Sequence, residues 1–227
     1  MNIFRPSVIL IGLIGLWQTV VSLSGAPPYI LPSPLAVAQA WITRPDLFIR
    51  HSAITMAEIL LGLTFGLVLG IASALVMAYF RPARQWLMPV LVVSQAVPVF
   101  ALAPILVLWV GYGMASKVVM ATLIIYFPVT AAFHDGLRRT EPGWVELARA
   151  MNGSRWAILR HVRIPAALPA LGSGLRVATA VAPIGAIVGE WVGSSSGLGY
   201  LMLHANARMQ IDIMFAALAT LALLAVA

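Results

Sequence analysis

The chain contains no cysteine and a single lysine, and charged residues make up only 9% of it. The absence of cysteine excludes disulfide bonds, a thiolate nucleophile and cysteine metal ligands. The lysine, Lys117, follows Ser116, so the Gly-Lys-Ser/Thr sequence of a phosphate-binding loop is missing. We therefore do not expect this chain to hydrolyse ATP.

Groupings of catalytic or metal-binding side chains are also missing. The four histidines lie in different segments without the spacing of a ligand set, and the serines at 194–196 have no obvious base or acid nearby in the sequence. We expect no catalytic residue, no metal and no cofactor in this chain. An enzyme embedded in the membrane is the least favoured class.

What the sequence does contain is long apolar runs. Hydrophobic residues account for 61% of the chain and the mean hydropathy is +0.97, values that indicate an all-α, polytopic membrane protein. About six transmembrane helices are predicted within a single domain over residues 1–227, and the first is interpreted as a retained helix rather than a cleaved signal peptide. The predicted spans are residues 8–23, 54–80, 86–110, 116–133, 166–189 and 211–227. The sixth is short, and the native chain is expected to continue beyond it.

The distribution of basic residues predicts the orientation. With the N-terminus inside, nine basic residues fall on the inner side, namely Arg5, Arg81, Arg84, Arg138, Arg139, Arg149, Arg155, Arg160 and Arg163. Four fall on the outer side, namely Arg44, Arg50, Lys117 and Arg208. The positive-inside rule then places the N-terminus in the cytoplasm. We attribute the net charge of +7 to the membrane orientation of the chain and not to nucleic-acid binding.

Glycine and proline mark where helices should approach or break. Small residues recur at helical spacing in the second span and predict close packing on one face: Gly62, Gly66, Gly70 and Ser73. Prolines interrupt the third to fifth spans, which fits either broken helices around a pathway or ordinary kinks: Pro98, Pro104, Pro128, Pro169 and Pro183. A short helix over residues 35–42 is expected at the outer interface.

The inner loop, residues 138–165, is the most informative segment and is called the inner hairpin below. Trp144, Leu147, Ala148 and Met151 form an apolar stripe after Pro142. The pair Asn152-Gly153 is predicted to end this helix, and Ser154 to cap a second helix that Pro165 stops. Arginines in the loop could simply contact anionic headgroups, but headgroups do not explain an apolar stripe. A protein that docks on the hairpin would explain the apolar stripe.

The segment ELARAMNGSRWAILRHVRIP, residues 146–165, resembles the EAA loop of ATP-binding-cassette (ABC) importer permeases. The resemblance implies a coupling helix that inserts into a groove of a cytoplasmic ATPase subunit. Leu147 stands where the family usually has alanine, and Asn152 stands where it has glycine, with Gly153 one place later. The residues expected to dock are Trp144, Glu146, Leu147, Ala148, Met151, Asn152 and Gly153.

Further segments, residues 97–117, 126–137 and 189–202, look like the nitrate, sulfonate and taurine branch of these permeases. Within it, residues 127–137 and 201–212 look most like members assigned to import of hydroxymethylpyrimidine, the pyrimidine precursor of thiamine. Ala132-Phe133 replaces an Asn-Thr pair that is frequent in the branch, which weakens the case for a small oxyanion. A sulfonate, taurine or nitrate-type anion and a riboflavin-like compound are the alternative substrates.

Six polar residues are candidates for the substrate pathway: Ser94, Gln95, Tyr126, Thr130, Glu58 and Glu190. The first four could supply hydrogen bonds among apolar walls. The two glutamates could line the outer vestibule or be interfacial residues that reach headgroup water, and these interpretations are about equally favoured.

The resemblance implies a homodimer in the bilayer with two ABC ATPase subunits and an extracytoplasmic substrate-binding protein, working by alternating access. The rival class is a self-sufficient secondary transporter or channel. Such a protein should show inverted repeats and buried carboxylates for coupling ions, and would not need a docking hairpin.

Overall fold

The computed structural model describes residues 4–226, and every regular element in that range is helical. In chain order the helices are α1 Phe4–Ser24, α2 Pro34–Thr43, α3 Pro45–Tyr79, α4 Arg81–Ser94, α5 Val99–Val110, α6 Met114–Arg138, α7 Pro142–Ala150, α8 Arg155–Ile158, α9 Ile164–Trp191, α10 Leu198–Ala207 and α11 Ile211–Val226. A π-helical turn, Leu159–Arg163, joins α8 to α9.

The all-α membrane fold is confirmed. Within the described residues, three helical stretches are long and apolar enough to cross a membrane: Pro45–Tyr79, Met114–Arg138 and Arg155–Trp191. Two shorter apolar helices, Val8–Ser24 and Ile211–Val226, match the first and last predicted spans. The short helix expected over residues 35–42 is α2, and Ser33 caps it by accepting a hydrogen bond from the Ala36 N–H.

The third span, predicted over residues 86–110, is interrupted at Pro98, so the structure shows the broken helix rather than an ordinary kink. It consists of α4 and α5, which meet at an angle of 104°. Pro98 stands in extended conformation immediately before α5. Proline disfavours helical backbone at the preceding residue and lacks an N–H, so the chain turns here instead of continuing. Pro128, Pro169 and Pro183 are accommodated inside continuous helices.

The described chain divides into two compact units, and the single domain over residues 1–227 stays a prediction. The first unit is Met1–Thr55 with Ser195–Ala227. In it, the Trp41 indole N–H lies 2.8 Å from the Thr220 hydroxyl and ties α2 to α11. The start of α10 is capped by side chains of α3: the Gly197 N–H donates to His51 Nδ1 at 2.9 Å, and the Leu198 N–H donates to the Thr55 hydroxyl at 2.8 Å.

The second unit, Met56–Ser194, is built around α6. A Cβ atom added to Gly62 or Gly66 of α3 would lie 2.5 Å from Ala121 or Ile125 of α6 respectively. On the α9 side, a Cβ on Gly185 would lie 2.7 Å from the Cα of the same Ala121. The glycine face predicted in the second span therefore packs against α6, and α9 supplies a similar face that the sequence reasoning had not identified.

We expect Gly185→Ala to destabilise the second unit by about 1–3 kcal/mol, because the new methyl group would meet backbone that cannot rotate away. The matched control is Gly172→Ala in the same helix, where an added Cβ meets nothing within 4 Å. Alanine there should be neutral or stabilise by up to about 1 kcal/mol. Thermal unfolding of the full chain in detergent would compare the two, and equal midpoints would contradict the packing argument.

Candidate functional site

The first limb of the inner hairpin is α7, which carries an exposed apolar face. Pro142 occupies its first turn, where a missing N–H costs nothing. The side chains of Trp144, Leu147 and Met151 are 56%, 63% and 76% exposed, while Ala148 is half-buried and Glu146 exposed. Among residues 4–226, nothing covers these large apolar side chains.

A tight turn closes α7. Asn152 adopts a left-handed conformation with φ of 59°, and the Gly153 N–H donates to the Ala148 carbonyl at 2.9 Å. Gly153 is needed for close approach, since a Cβ there would lie 2.7 Å from that carbonyl oxygen. The predicted end of the helix is confirmed, with asparagine supplying the left-handed residue.

The second limb begins as predicted and ends differently. Ser154 caps it by accepting a hydrogen bond from the Ala157 N–H at 3.1 Å. The prediction that Pro165 stops this helix was wrong, because the chain continues without a break to Trp191. The π-helical turn Leu159–Arg163 precedes the proline, and its wider ring accommodates a residue that cannot donate to the preceding turn.

The hairpin is anchored on the second unit by its inward-facing residues. Val145, Ile158 and Leu159 are buried. Leu159 belongs to a core cluster that includes Ala74 of α3 and Phe133 of α6. The hairpin therefore has one face packed against the helices of its own unit and another facing outward.

Charged side chains meet inside the same unit. Lys117 Nζ lies 3.1 Å from Glu58 Oε1, and both side chains are almost fully buried. Glu190, also buried, contacts Glu58. Lys117, which the orientation argument counts on the outer side, belongs to the first turn of α6, where Glu58 on α3 provides the counter-charge that makes its burial tolerable. The ion pair itself was not predicted. The proposed vestibule role of the two glutamates stays a prediction.

The other pathway candidates occupy two places. Ser94 and Gln95 stand at the break between α4 and α5, where both are exposed. On α6, the Tyr126 hydroxyl donates to the Ser73 hydroxyl at 2.8 Å, and the buried Thr130 hydroxyl donates to the Tyr126 carbonyl. Ser73, at the end of the small-residue stripe, is a partner that sequence reasoning did not assign to Tyr126.

Residues 66–227 match the family described as binding-protein-dependent transport system inner membrane component. A probable ABC transporter permease protein of Haemophilus influenzae is 57% identical, covering 96% of this chain and 89% of that protein. The formylaminopyrimidine transport permease protein ThiX of Halalkalibacterium halodurans is 36% identical, covering 98% and 89%. The riboflavin transport system permease protein RibX of Chloroflexus aurantiacus is 39% identical, covering 96% and 82%.

Among solved structures, an inward-facing MetNI methionine ABC transporter has a TM-score of 0.69 at 21% identity. The match covers 81% of this chain and 91% of that chain. This likeness shows a shared fold, the one observed in membrane subunits of type I ABC importers.

We expect Lys117→Met to destabilise the second unit by about 3–5 kcal/mol, because it leaves buried carboxylates without their counter-charge. Combining it with Glu58→Gln should recover part of that loss, since both members of the pair are then neutral. Arg208→Met, at an exposed arginine, is the control and should stay within about 0.5 kcal/mol. The unfolding midpoints of the full-length variants are compared with that of the wild type. A midpoint of Lys117→Met equal to that of the wild type would show that the ion pair contributes nothing to stability.

Proposed function

This chain belongs to the family of binding-protein-dependent transport system inner membrane components, and we propose that the solute it translocates is the pyrimidine precursor of thiamine. It is the permease subunit of an ABC importer. Its apolar helices embed it in the membrane. The orientation, the partners and the substrate are proposed in addition to that family assignment.

The exposed apolar face of α7 is the observation that carries the proposal of an ATPase partner. Trp144, Leu147 and Met151 project from a nine-residue helix within the inner hairpin, outside the membrane-spanning helices. Such a face is stabilised when a groove of another protein covers it. We assign the groove to a cytoplasmic ABC ATPase, with Glu146, Ala148, Asn152 and Gly153 completing the docking segment. The N-terminus is then cytoplasmic and the membrane is the inner one.

Two copies of this chain would form the pathway, with an extracytoplasmic binding protein delivering solute to it. Closure of the ATPase dimer on ATP would move the two α7 helices together and bias the permease toward its outward-open state. This chain contributes no nucleotide chemistry of its own, in keeping with its lack of a phosphate-binding loop.

The substrate proposal has two supports: the pyrimidine-importer likeness of residues 127–137 and 201–212, and the relative named for formylaminopyrimidine transport. A riboflavin-like compound is the alternative, since the relative named for riboflavin is 39% identical. Both are neutral nitrogen heterocycles. Uncharged donors and acceptors such as Ser94, Gln95, Tyr126 and Thr130 suit a neutral heterocycle among apolar walls.

Docking through α7 predicts that Ala148→Arg abolishes association with the ATPase while the chain still inserts and folds. A long charged side chain would stand between Trp144 and Met151, in the centre of the apolar face. The matched control is Ala150→Arg, the same change on another face of the same helix, and it should retain association. Co-purification with the ATPase encoded beside this chain gives the readout. Loss of association in both variants, or in neither, would contradict the docking assignment.

The transport proposal predicts ATP-dependent uptake of a radiolabelled formylaminopyrimidine by proteoliposomes that contain the permease, its ATPase and its binding protein. Taurine should not be taken up. Uptake of riboflavin alone would overturn the substrate but not the importer. Uptake driven by an ion gradient without nucleotide would instead overturn the ATP-driven mechanism.

Gln95→Leu should reduce uptake without reducing complex yield, because it removes a polar contact and no packing.

A further inference from the structure

A cavity of about 370 Å³ lies within the second unit, between the end of α3 and the inner hairpin. Four arginines and one tyrosine border it, together with apolar residues and Gly153, and its lining contains no aspartate or glutamate. We call it the arginine pocket, and define it by Arg81, Arg149, Arg155, Arg163 and Tyr79.

Three of the four arginines, Arg81, Arg149 and Arg155, are exposed, and Arg163 is partly buried. Within the described residues, none of them lies within 4.0 Å of a carboxylate; the ion pair that does occur is the one between Lys117 and Glu58. The Nε atom of Arg163 is buried and has no hydrogen-bond partner among the described residues. An unpaired buried donor costs about 1–3 kcal/mol, and more when the group is charged. Four like charges around one cavity add mutual repulsion, so the pocket is complementary to an anion.

Arginine selects among anions by geometry. Its planar fork presents two parallel N–H groups that match adjacent oxygens of a phosphate, and several arginines can share one tetrahedral group. The position also fits: Tyr79 ends the membrane-spanning helix α3 and Arg81 begins α4, and headgroups lie at the level where such a helix ends. Basic pockets between transmembrane helices on the cytoplasmic side favour anionic lipid headgroups.

A carboxylate from a docked protein fits the arrangement less well. The pocket is lined by Val145 and Arg149, four residues apart on one side of α7. The exposed apolar residues Trp144, Leu147 and Met151 follow a different side of the same helix. A partner that covers the apolar face therefore does not, by doing so, reach into the pocket.

We propose that the arginine pocket binds a phosphate group at the inner surface of the membrane. Its source is an anionic phospholipid headgroup or free phosphate. The bound group ties the α3–α4 junction, through Arg81, to both limbs of the hairpin, through Arg149 on the first and Arg155 and Arg163 on the second. It thereby holds the docking helix in position and makes the stability of the hairpin depend on the anion. The site does not involve the substrate, and it adjoins the docking segment at Gly153. Its place at the inner surface rests on the orientation proposed above.

The test measures the thermal unfolding of the full chain in nanodiscs, followed by tryptophan fluorescence. The lipid is phosphatidylcholine alone, phosphatidylcholine with phosphatidylglycerol, or phosphatidylcholine with millimolar inorganic phosphate at constant ionic strength. We expect the anion to raise the midpoint by about 2–4 °C. A shift only with phosphatidylglycerol identifies the headgroup as the source, and a shift also with inorganic phosphate identifies free phosphate. No shift with either overturns the proposal.

Variants separate the pocket from general surface charge. Arg163→Gln should lose at least half of the shift, and Arg163→Lys, which keeps the charge but not the fork, should lose part of it. Arg155→Gln takes their place if these variants do not fold. The matched control is Arg160→Gln, an exposed arginine of the same hairpin that does not line the pocket, and it should retain the whole shift. Equal losses in Arg160→Gln and Arg163→Gln overturn the proposal. The proposal is also overturned if the unfolding midpoint in phosphatidylcholine nanodiscs rises only when the ATPase is added, because the arginines would then pair with the partner's carboxylates.

Discussion

The close approach of α6 to its two neighbours is the constraint on which the second unit depends. Lipid tails are as apolar as leucine side chains, so burial from water does not hold these helices together. Contact between backbones does, and it is possible because glycines of α3 and α9 face the same residue of α6, Ala121. The polar contacts follow from this packing. Lys117 can reach Glu58 only because its helix lies against α3, and the backbone of Lys117 lies against Gly189, beside Glu190.

The inner hairpin uses the same framework. Its second limb is the beginning of the helical stretch Arg155–Trp191 that packs along α6, so a force applied at α7 reaches the bundle through continuous helix rather than through a loop. The π-helical turn at Leu159–Arg163 is the irregular point in that path. Leu159 within it is buried in the core cluster with Phe133. A movement of α7 would therefore have to shift packed side chains as well as exposed ones.

Rules that depend on a few adjacent residues predicted the spans and the helix caps of this chain. They failed where contacts between distant residues determine the structure. Apolar run length located the spans, and capping chemistry located both ends of the turn at Asn152 and Ser154, because these depend on a few adjacent residues. The rule that proline stops a helix failed at Pro165, where a wider preceding turn accommodates the ring. The ion pair of Lys117 was not predicted, since its partner Glu58 lies 59 positions earlier in the sequence. The break at Pro98 was indicated by proline, but the 104° bend depends on the residues around it.

The polar residues that the fold leaves accessible also bear on the solute. Gln95 and Ser94, at the break between α4 and α5, are exposed and uncharged. The carboxylates of Glu58 and Glu190 are buried, and the cation that pairs with Glu58 is Lys117. None of the six candidate residues is a cation that could replace the hydration of a permeating sulfonate or nitrate; the exposed Arg176 of α9 lies outside that set. A neutral heterocycle needs only hydrogen bonds and apolar surface, which these residues and the surrounding helices can provide.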